Sequence, residues 1–276
     1  MNPTSTATRV RVATLNIWGT RGDWSRRRPM LRDGLASLDA ALITLQETIV
    51  TGDYDQAADV LPDDYHLVHQ QDREDDGQGI TTASRWPVGE TIELDLNVTG
   101  RTGEFACTSL ITEVLAPDPL GRIWLVNHFP DYQMDHEHER ELQAVRVARA
   151  LEGLLAVRPG HVVVAGDLDA DPAATSIRFW TGRHALDGLS VCYRDAWESA
   201  RPHDPGLTYI PDNPYSADWD WPFRRIDYIL VRCGDHGGPT LRITGCDRTF
   251  DTPATTVSDH YGLVADLTLP EDGGPG

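Results

Sequence analysis

Two carboxylates one residue apart, Asp167 and Asp169, follow the apolar run His161-Val-Val-Val-Ala-Gly166. A buried strand delivering both into a turn leaves them in mutual repulsion and short of water unless a cation or a proton answers them. Other polar groups stand at the ends of apolar runs: Asn16 after Val-Ala-Thr-Leu, Glu47 after Leu-Ile-Thr-Leu-Gln, and Ser258-Asp259-His260 before Tyr-Gly-Leu-Val. Asp227 lies inside Arg225-Ile-Asp-Tyr-Ile-Leu-Val231. Acids and histidines gathered at strand ends suit metal-assisted hydrolysis. Hard oxygen ligands hold a divalent cation that neutralises an ester's oxygens and lowers the pKa of bound water. A carboxylate can take the water's proton, and an imidazolium can stabilise the charge that develops.

The elements that must position these residues are mostly strands. Val10–Ile17 alternates and then turns apolar, as a strand entering a core does. Arg26–Leu38 carries Met30, Leu31, Leu35 and Leu38 at helical spacing, and Ala41–Leu45 is a short buried strand. Further strands are expected at Tyr65–His69, Glu90–Asn97, Phe105–Leu115, Arg122–Phe129, His161–Gly166, Ile226–Arg232, Thr240–Cys246 and Gly262–Leu269. The longest helix is expected over His136–Ala156, with Leu142, Val145, Leu151 and Leu155 on its apolar face. Strands both in succession and after helices favour a layered α/β domain. Gln70–Gly79 reads as a polar loop, and no Pro-, Gly- or Ser-rich linker divides the chain. A single domain over 8–270 is expected, with flexible tails at 1–7 and 271–276.

At 276 residues and 40% apolar content, the chain can bury a sizeable core. Its 43 acids against 24 bases give a net charge of −19, which counts against a broad duplex-binding face. Cys107, Cys192, Cys233 and Cys246 lack the close pairing of a structural zinc site. The first residues lack the basic start and apolar core of a signal peptide, and no apolar run approaches the ~20 residues of a membrane span. A cytoplasmic location is the expectation.

The polar clusters span nearly the whole chain, so their strands must converge on one edge. In that order they resemble the endonuclease/exonuclease/phosphatase superfamily, which has the deoxyribonuclease I-like fold. The matching motifs are Leu15-Asn16, Leu45-Gln46-Glu47, Ser84-Arg85-Trp86-Pro87, Asn127-His128-Phe129, Gly166-Asp167-Leu168-Asp169, Arg225-Ile226-Asp227-Tyr228 and Ser258-Asp259-His260. The resemblance implies a four-layer α/β/β/α sandwich that hydrolyses a phosphoester with a divalent cation, usually Mg²⁺, with Mn²⁺ or another divalent ion as substitutes. It implies metal ligation by Glu47, Asn16 and Asp259, and handling of the attacking water by Asp167. His260, supported by Asp227, is implied to contact the scissile phosphate, as is His128 as a second histidine in a wet pocket.

Within the superfamily the second half is similar to neutral sphingomyelinase-type phosphodiesterases. The residues concerned are Glu139–Ala144, Trp180-Thr-Gly182, Thr208, Asn213-Pro-Tyr215 and Pro222–Asp227. A small or lipid-type phosphodiester, with peripheral lipid contact, is the favoured substrate. A nuclease acting on DNA or RNA is the alternative, and a non-catalytic phosphate-binding protein is a third reading. One position departs from the family: its Gly-Asp-x-Asn is here Gly-Asp-Leu-Asp. An ionised Asp169 cannot donate a hydrogen bond and would repel an anion. It is protonated, recruits a further cation, or alters the activity; the further cation is favoured.

Trp219, Trp221 and Phe223 precede Arg225-Ile-Asp and form a candidate apolar rim for substrate, with core packing as the competing role. His136-Glu-His-Glu139 looks like a metal cluster, but residues two apart on a helix point to different faces. Arg26-Arg-Arg28 reads as an exposed helix start rather than a phosphate grip.

Overall fold

The structure, a computed structural model, describes residues 8–103, 105–218, 220–235 and 237–270. The expected tails and Trp219 lie outside the described residues. Among the described residues, twelve strands form two six-stranded sheets. The first runs in the order β11 (Arg242–Thr249), β12 (Gly262–Thr268), β1 (Arg9–Asn16), β2 (Leu42–Ile49), β4 (Gln78–Ser84), β3 (His66–His69). The second runs β5 (Val88–Asp95), β6 (Thr108–Leu115), β7 (Arg122–Phe129), β8 (His161–Asp167), β10 (Asp227–Arg232), β9 (Tyr193–Asp195).

The central strands are apolar in continuous runs because both faces of each sheet are covered. Val162, Val163 and Val164 of β8 are successive, point alternately to opposite sides, and are all fully buried. Between the sheets, Val12, Leu42 and Leu263 pack with Leu125, Val163 and Ile229. Helices α1 (Trp24–Leu38) and α2 (Gln56–Val60) cover the outer face of the first sheet through Leu31, Leu35 and Val60. Helices α3 (Glu137–Val157) and α4 (Thr175–Trp180) cover the second through Ala144, Val147, Leu151 and Phe179. The result is the expected α/β/β/α sandwich. A short α5 (Ala196–Ala200) buries Trp197 among the residues between the sheets.

Local structure departs from the sequence expectations where tertiary contacts outweigh polarity. Strand β4 is Gln-Gly-Ile-Thr-Thr-Ala-Ser, polar in composition yet buried at every position, and its first residues fall in the stretch expected to be a loop. Thr81 finds partners inside: its hydroxyl is 2.8 Å from that of Thr48, and Asn127 Nδ2 donates to its carbonyl at 3.1 Å. On α3 Leu142 is only half-buried, while Glu139 and Arg140 are buried. Arg140 goes inside because it donates to the Asp131 and Gln133 carbonyls at 3.0 and 2.7 Å and pairs with Glu137 at 2.9 Å.

Candidate active site

The strand directions gather the polar termini on one edge. Strand β1 ends at Asn16, and β12 runs antiparallel to it, so Asp259 and His260, just before β12, arrive at the same end. Strand β8 ends at Asp167, directly opposite Asp227 at the start of antiparallel β10. On the other side of β8, Gly166 lets the strand end pass close to β7, since a Cβ there would lie 2.1 Å from the His128 carbonyl oxygen. Glu47 depends on a bulge: β2 pairs Leu45 with Thr81 but Thr48 with Gly79, leaving Gln46 and Glu47 opposite one residue. Gln46 then turns inward and donates to Asn127 Oδ1 across the sandwich at 2.8 Å, while Glu47 faces the edge. Trp18, Glu47 and Asp169 all have left-handed backbones, with φ of 59°, 55° and 50°. Such residues cost on the order of 1–3 kcal/mol each and persist where surrounding structure fixes them. Here the Trp18 N–H donates to Asn16 Oδ1 at 3.0 Å, and Arg224 donates to the Asp169 carbonyl at 3.1 Å.

Asn16 connects the two acidic groups. Its Nδ2 donates to Glu47 Oε1 and to Asp167 Oδ2, both at 3.0 Å. With Oδ1 accepting from Trp18, Asn16 meets the acids through its nitrogen in this arrangement, not through the oxygen a metal needs. Beyond Asp167 lies His260, with Nε2 at 3.7 Å from Asp167 Oδ2 and Nδ1 at 3.1 Å from Asp227 Oδ2. Burial by itself would lower the His260 pKa, but Asp227 and Asp167 outweigh it and hold the ring cationic well above its usual range. Burial, with Asp169 nearby, pushes the Asp167 carboxyl well above the usual carboxylate range. Burial likewise raises Asp169 to about 7, against the pull of His260, Arg224 and Arg140. Asp259 rises to about 6, chiefly through burial, opposed by His260 and aided by Glu47.

Two oxygen-rich groupings are candidates for a cation. Ligand atoms of Asp167, Asp227 and His260 lie within 4.8 Å of one another, but a cationic imidazole between two carboxylates already answers their charge. Glu47 with Asp259 is the better fit to a hard divalent ion, since both acids line the cleft and a carboxylate is the hard oxygen ligand such an ion takes. Arg21 now pairs with Glu47 Oε2 and donates to Gln78 Oε1 at 2.7 Å, so a positive charge already sits against this carboxylate.

The edge opens into a cleft of about 340 Å³. Glu47, Asp167, Asp169, Asp259 and His260 line it, together with Arg21, Arg224 and an aromatic wall of Phe105, Phe129, Tyr132 and Trp221. Trp221 stacks on Tyr132 with ring centroids 6.1 Å apart and planes 28° apart. Arg224 and Phe129 stand inside motifs that match the family, whereas Arg21, Phe105 and Tyr132 carry no functional signal in local sequence and reach the cleft from remote parts of the chain. His128 departs from its expected place in a wet pocket. Its ring is 1% exposed, outside the cleft lining, with Nδ1 2.6 Å from Ser109 Oγ and an edge against Trp180. Burial drops its pKa to about 3, so the ring is neutral.

Supporting contacts fix these groups. Ser258 Oγ donates to the Asn16 carbonyl at 2.6 Å, Asn213 Nδ2 to the Ser258 carbonyl at 2.9 Å, and the Ile226 N–H to Thr208 Oγ1 at 3.1 Å. Arg27, in the triplet expected to be exposed, is fully buried. It donates to the Val257 carbonyl at 2.6 Å and to the Ile17 and Arg21 carbonyls, with its guanidinium 5.0 Å from the Trp18 ring centre. It thereby ties the loop after β1 to the segment before Ser258.

A two-sheet sandwich with acids, an amide and a cationic histidine converging on one edge is the architecture of a metal-dependent phosphoester hydrolase. The chain belongs to the endonuclease/exonuclease/phosphatase family, whose model matches residues 13–260. Among solved structures it is similar to TDP2 from Caenorhabditis elegans, at 16% identity and TM-score 0.74, over 95% of this chain and 76% of that one. An endonuclease/exonuclease/phosphatase from Bacteroides vulgatus gives 20% identity and TM-score 0.73, over 95% and 100%. A D. rerio TDP2 complexed with single-strand DNA product gives 17% and 0.72, over 95% and 99%. No curated protein matches the chain in sequence.

Proposed function

We propose that this protein hydrolyses a phosphodiester bearing a planar ring, by in-line attack of an activated water. The observation that carries this reading is the Asp227–His260–Asp167 array, joined to Glu47 through Asn16 and facing an aromatic wall across one cleft. A divalent cation, Mg²⁺ or Mn²⁺, held by Glu47 and Asp259 would neutralise phosphate charge and acidify bound water. Asp167, with its raised pKa, is suited to take a proton from the attacking water. Cationic His260, oriented by Asp227, faces the phosphate and stabilises its developing charge. Neutral His128, buried outside the cleft lining, supports the site through its contact with Ser109 and does not touch the phosphate. If the Ser109 hydroxyl donates to Nδ1, Nε2 carries the proton.

The net charge of −19 favours a small or lipid-type ester over a long polyanion. The second reading is a nuclease acting on single-stranded ends. The aromatic wall supports it, because bases stack on such rings, and so does the DNA product held by the D. rerio neighbour. No described helix is long and apolar enough to cross a membrane. The test is metal-dependent turnover of bis-p-nitrophenyl phosphate, run beside a single-stranded oligonucleotide, plasmid DNA, sphingomyelin and phosphomonoesters. No metal-dependent cleavage of any diester would overturn the proposal, and preference for the oligonucleotide would select the second reading.

Asp169 supplies a separate expectation. Its pKa near 7 supports the protonated reading over a further cation, since a protonated carboxyl supplies the donor that the family's asparagine provides. Below that pH the group donates; above it, the donor is lost and a negative charge faces an anionic substrate. Wild-type kcat should therefore fall as pH rises through about 7, and Asp169→Asn should remove that fall. A pH-rate profile checks this. An unchanged falling limb in the variant would refute it, and weakened metal binding in calorimetry would restore the cation reading.

A further inference from the structure

Two cysteines that the sequence separates widely meet at the far edge of the second sheet. Cys192 directly precedes β9 and Cys233 directly follows β10, whose antiparallel register pairs Tyr193 with Arg232 and so sets Cys192 opposite Cys233. The Cys233 N–H donates to the Cys192 carbonyl at 2.8 Å, and the two sulfur atoms are 3.5 Å apart. Residues directly opposed in an antiparallel pair hold their Cα atoms about 4.5–5.5 Å apart, within the ~4.4–6.8 Å that a disulfide spans. Closing the sulfurs to the ~2.05 Å of a bond then asks for side-chain rotation and little backbone movement.

We propose that Cys192 and Cys233 are a peroxide-oxidisable pair, whose disulfide closes the segment between them. The half-buried Cys192 is the thiol an oxidant can reach, and the buried Cys233 is the resolving partner. The Cys192 thiolate attacks one oxygen of hydrogen peroxide, the O–O bond breaks, and hydroxide leaves, giving a sulfenic acid. The Cys233 sulfur then attacks the Cys192 sulfur, and the sulfenic oxygen departs as water with the Cys233 proton. Two thiols lose two electrons and two protons in total, and one peroxide becomes two waters. Burial and the neighbouring Cys192 push the Cys233 thiol up to about 11, so its attack follows oxidation of its partner. Cys107 and Cys246 are buried elsewhere, with burial raising both thiols, Cys246 to about 12, so they do not compete.

The segment that the bridge closes carries Tyr209, Trp221 and Arg224 of the cleft, together with Thr208, which holds the backbone at Asp227. Cross-linking across it restricts the unfolded chain, so oxidation is expected to raise Tm by roughly 3–8 °C. The experiment treats the full chain, under native conditions, with a small excess of hydrogen peroxide. Expected results are a loss of about 2 Da in intact mass, a Cys192–Cys233 cross-link in non-reducing peptide maps, and a Tm increase that dithiothreitol reverses. Cys192→Ser should abolish the mass loss and the Tm increase. Oxygen addition at Cys192 with no 2 Da loss, or cross-links through Cys107, Cys246 or a second chain, would overturn the proposal. The mapping on the unsubstituted protein decides the matter even if the variant folds poorly.

Discussion

Glu47→Gln is expected to remove most of the affinity for Mg²⁺ and Mn²⁺ and to lower kcat/KM by roughly 10³-fold, with the fold retained. Glu47 offers a carboxylate oxygen to the cleft from a bulge that exists to aim it there. Gln is nearly the same shape but replaces a charged oxygen donor with a neutral amide, so the effect should lie in cation binding. Stability should change little. The Glu47–Arg21 pair is partly exposed, with side-chain accessibilities of 19% and 47%, and such pairs contribute about 0–1 kcal/mol. Calorimetric titration with each cation, beside thermal melts of both proteins, checks the expectation. Undiminished binding would remove Glu47 from the ligands.

The second large effect is at His260. Loss of its charge from the phosphate side should depress kcat by roughly 10²–10³-fold, the scale of removing one preorganised donor. The choice of substitution matters because His260 is 6% exposed and stands between two buried carboxylates. His260→Ala leaves Asp167 and Asp227 facing each other unanswered, and breaking a buried pair in this way costs about 3–5 kcal/mol. His260→Gln keeps a donor in reach of the acids and should separate the catalytic loss from the stability loss. Asp227→Asn should lower kcat through the same histidine, so the double variant should lose much less than the two single losses combined. Additive losses, or near-wild-type turnover of His260→Gln, would show that the array does not act as a unit.

Much of the site is legible in the chain because its signals are local. Apolar runs with a polar residue at one end locate Asn16, Glu47, Asp167 and Asp227, and the strand expected at Arg122–Phe129 has those bounds in the structure. Those runs are readable because strands covered on both faces must be apolar throughout, as β8 shows. Order along the chain then allows the clusters to be read as one family's motifs.

Tertiary structure alone decided the rest, wherever a distant partner reversed a residue's intrinsic tendency. Polar β4 is buried around Thr81, whose hydroxyl and carbonyl meet Thr48 of β2 and Asn127 of β7. Arg27 is buried because carbonyls from two loops accept its protons, and His128 is neutral because its ring is sealed beneath the cleft. The bulge that aims Glu47, the rings and arginines of the cleft wall, and the contact between Cys192 and Cys233 all depend on register and loop packing between residues remote in sequence. Residue types and local apolar patterning settle which groups can do the chemistry and that they stand at strand ends. Their orientation, their protonation and the walls around them were decided by burial and long-range hydrogen bonding, which set the cost of every charge at that edge.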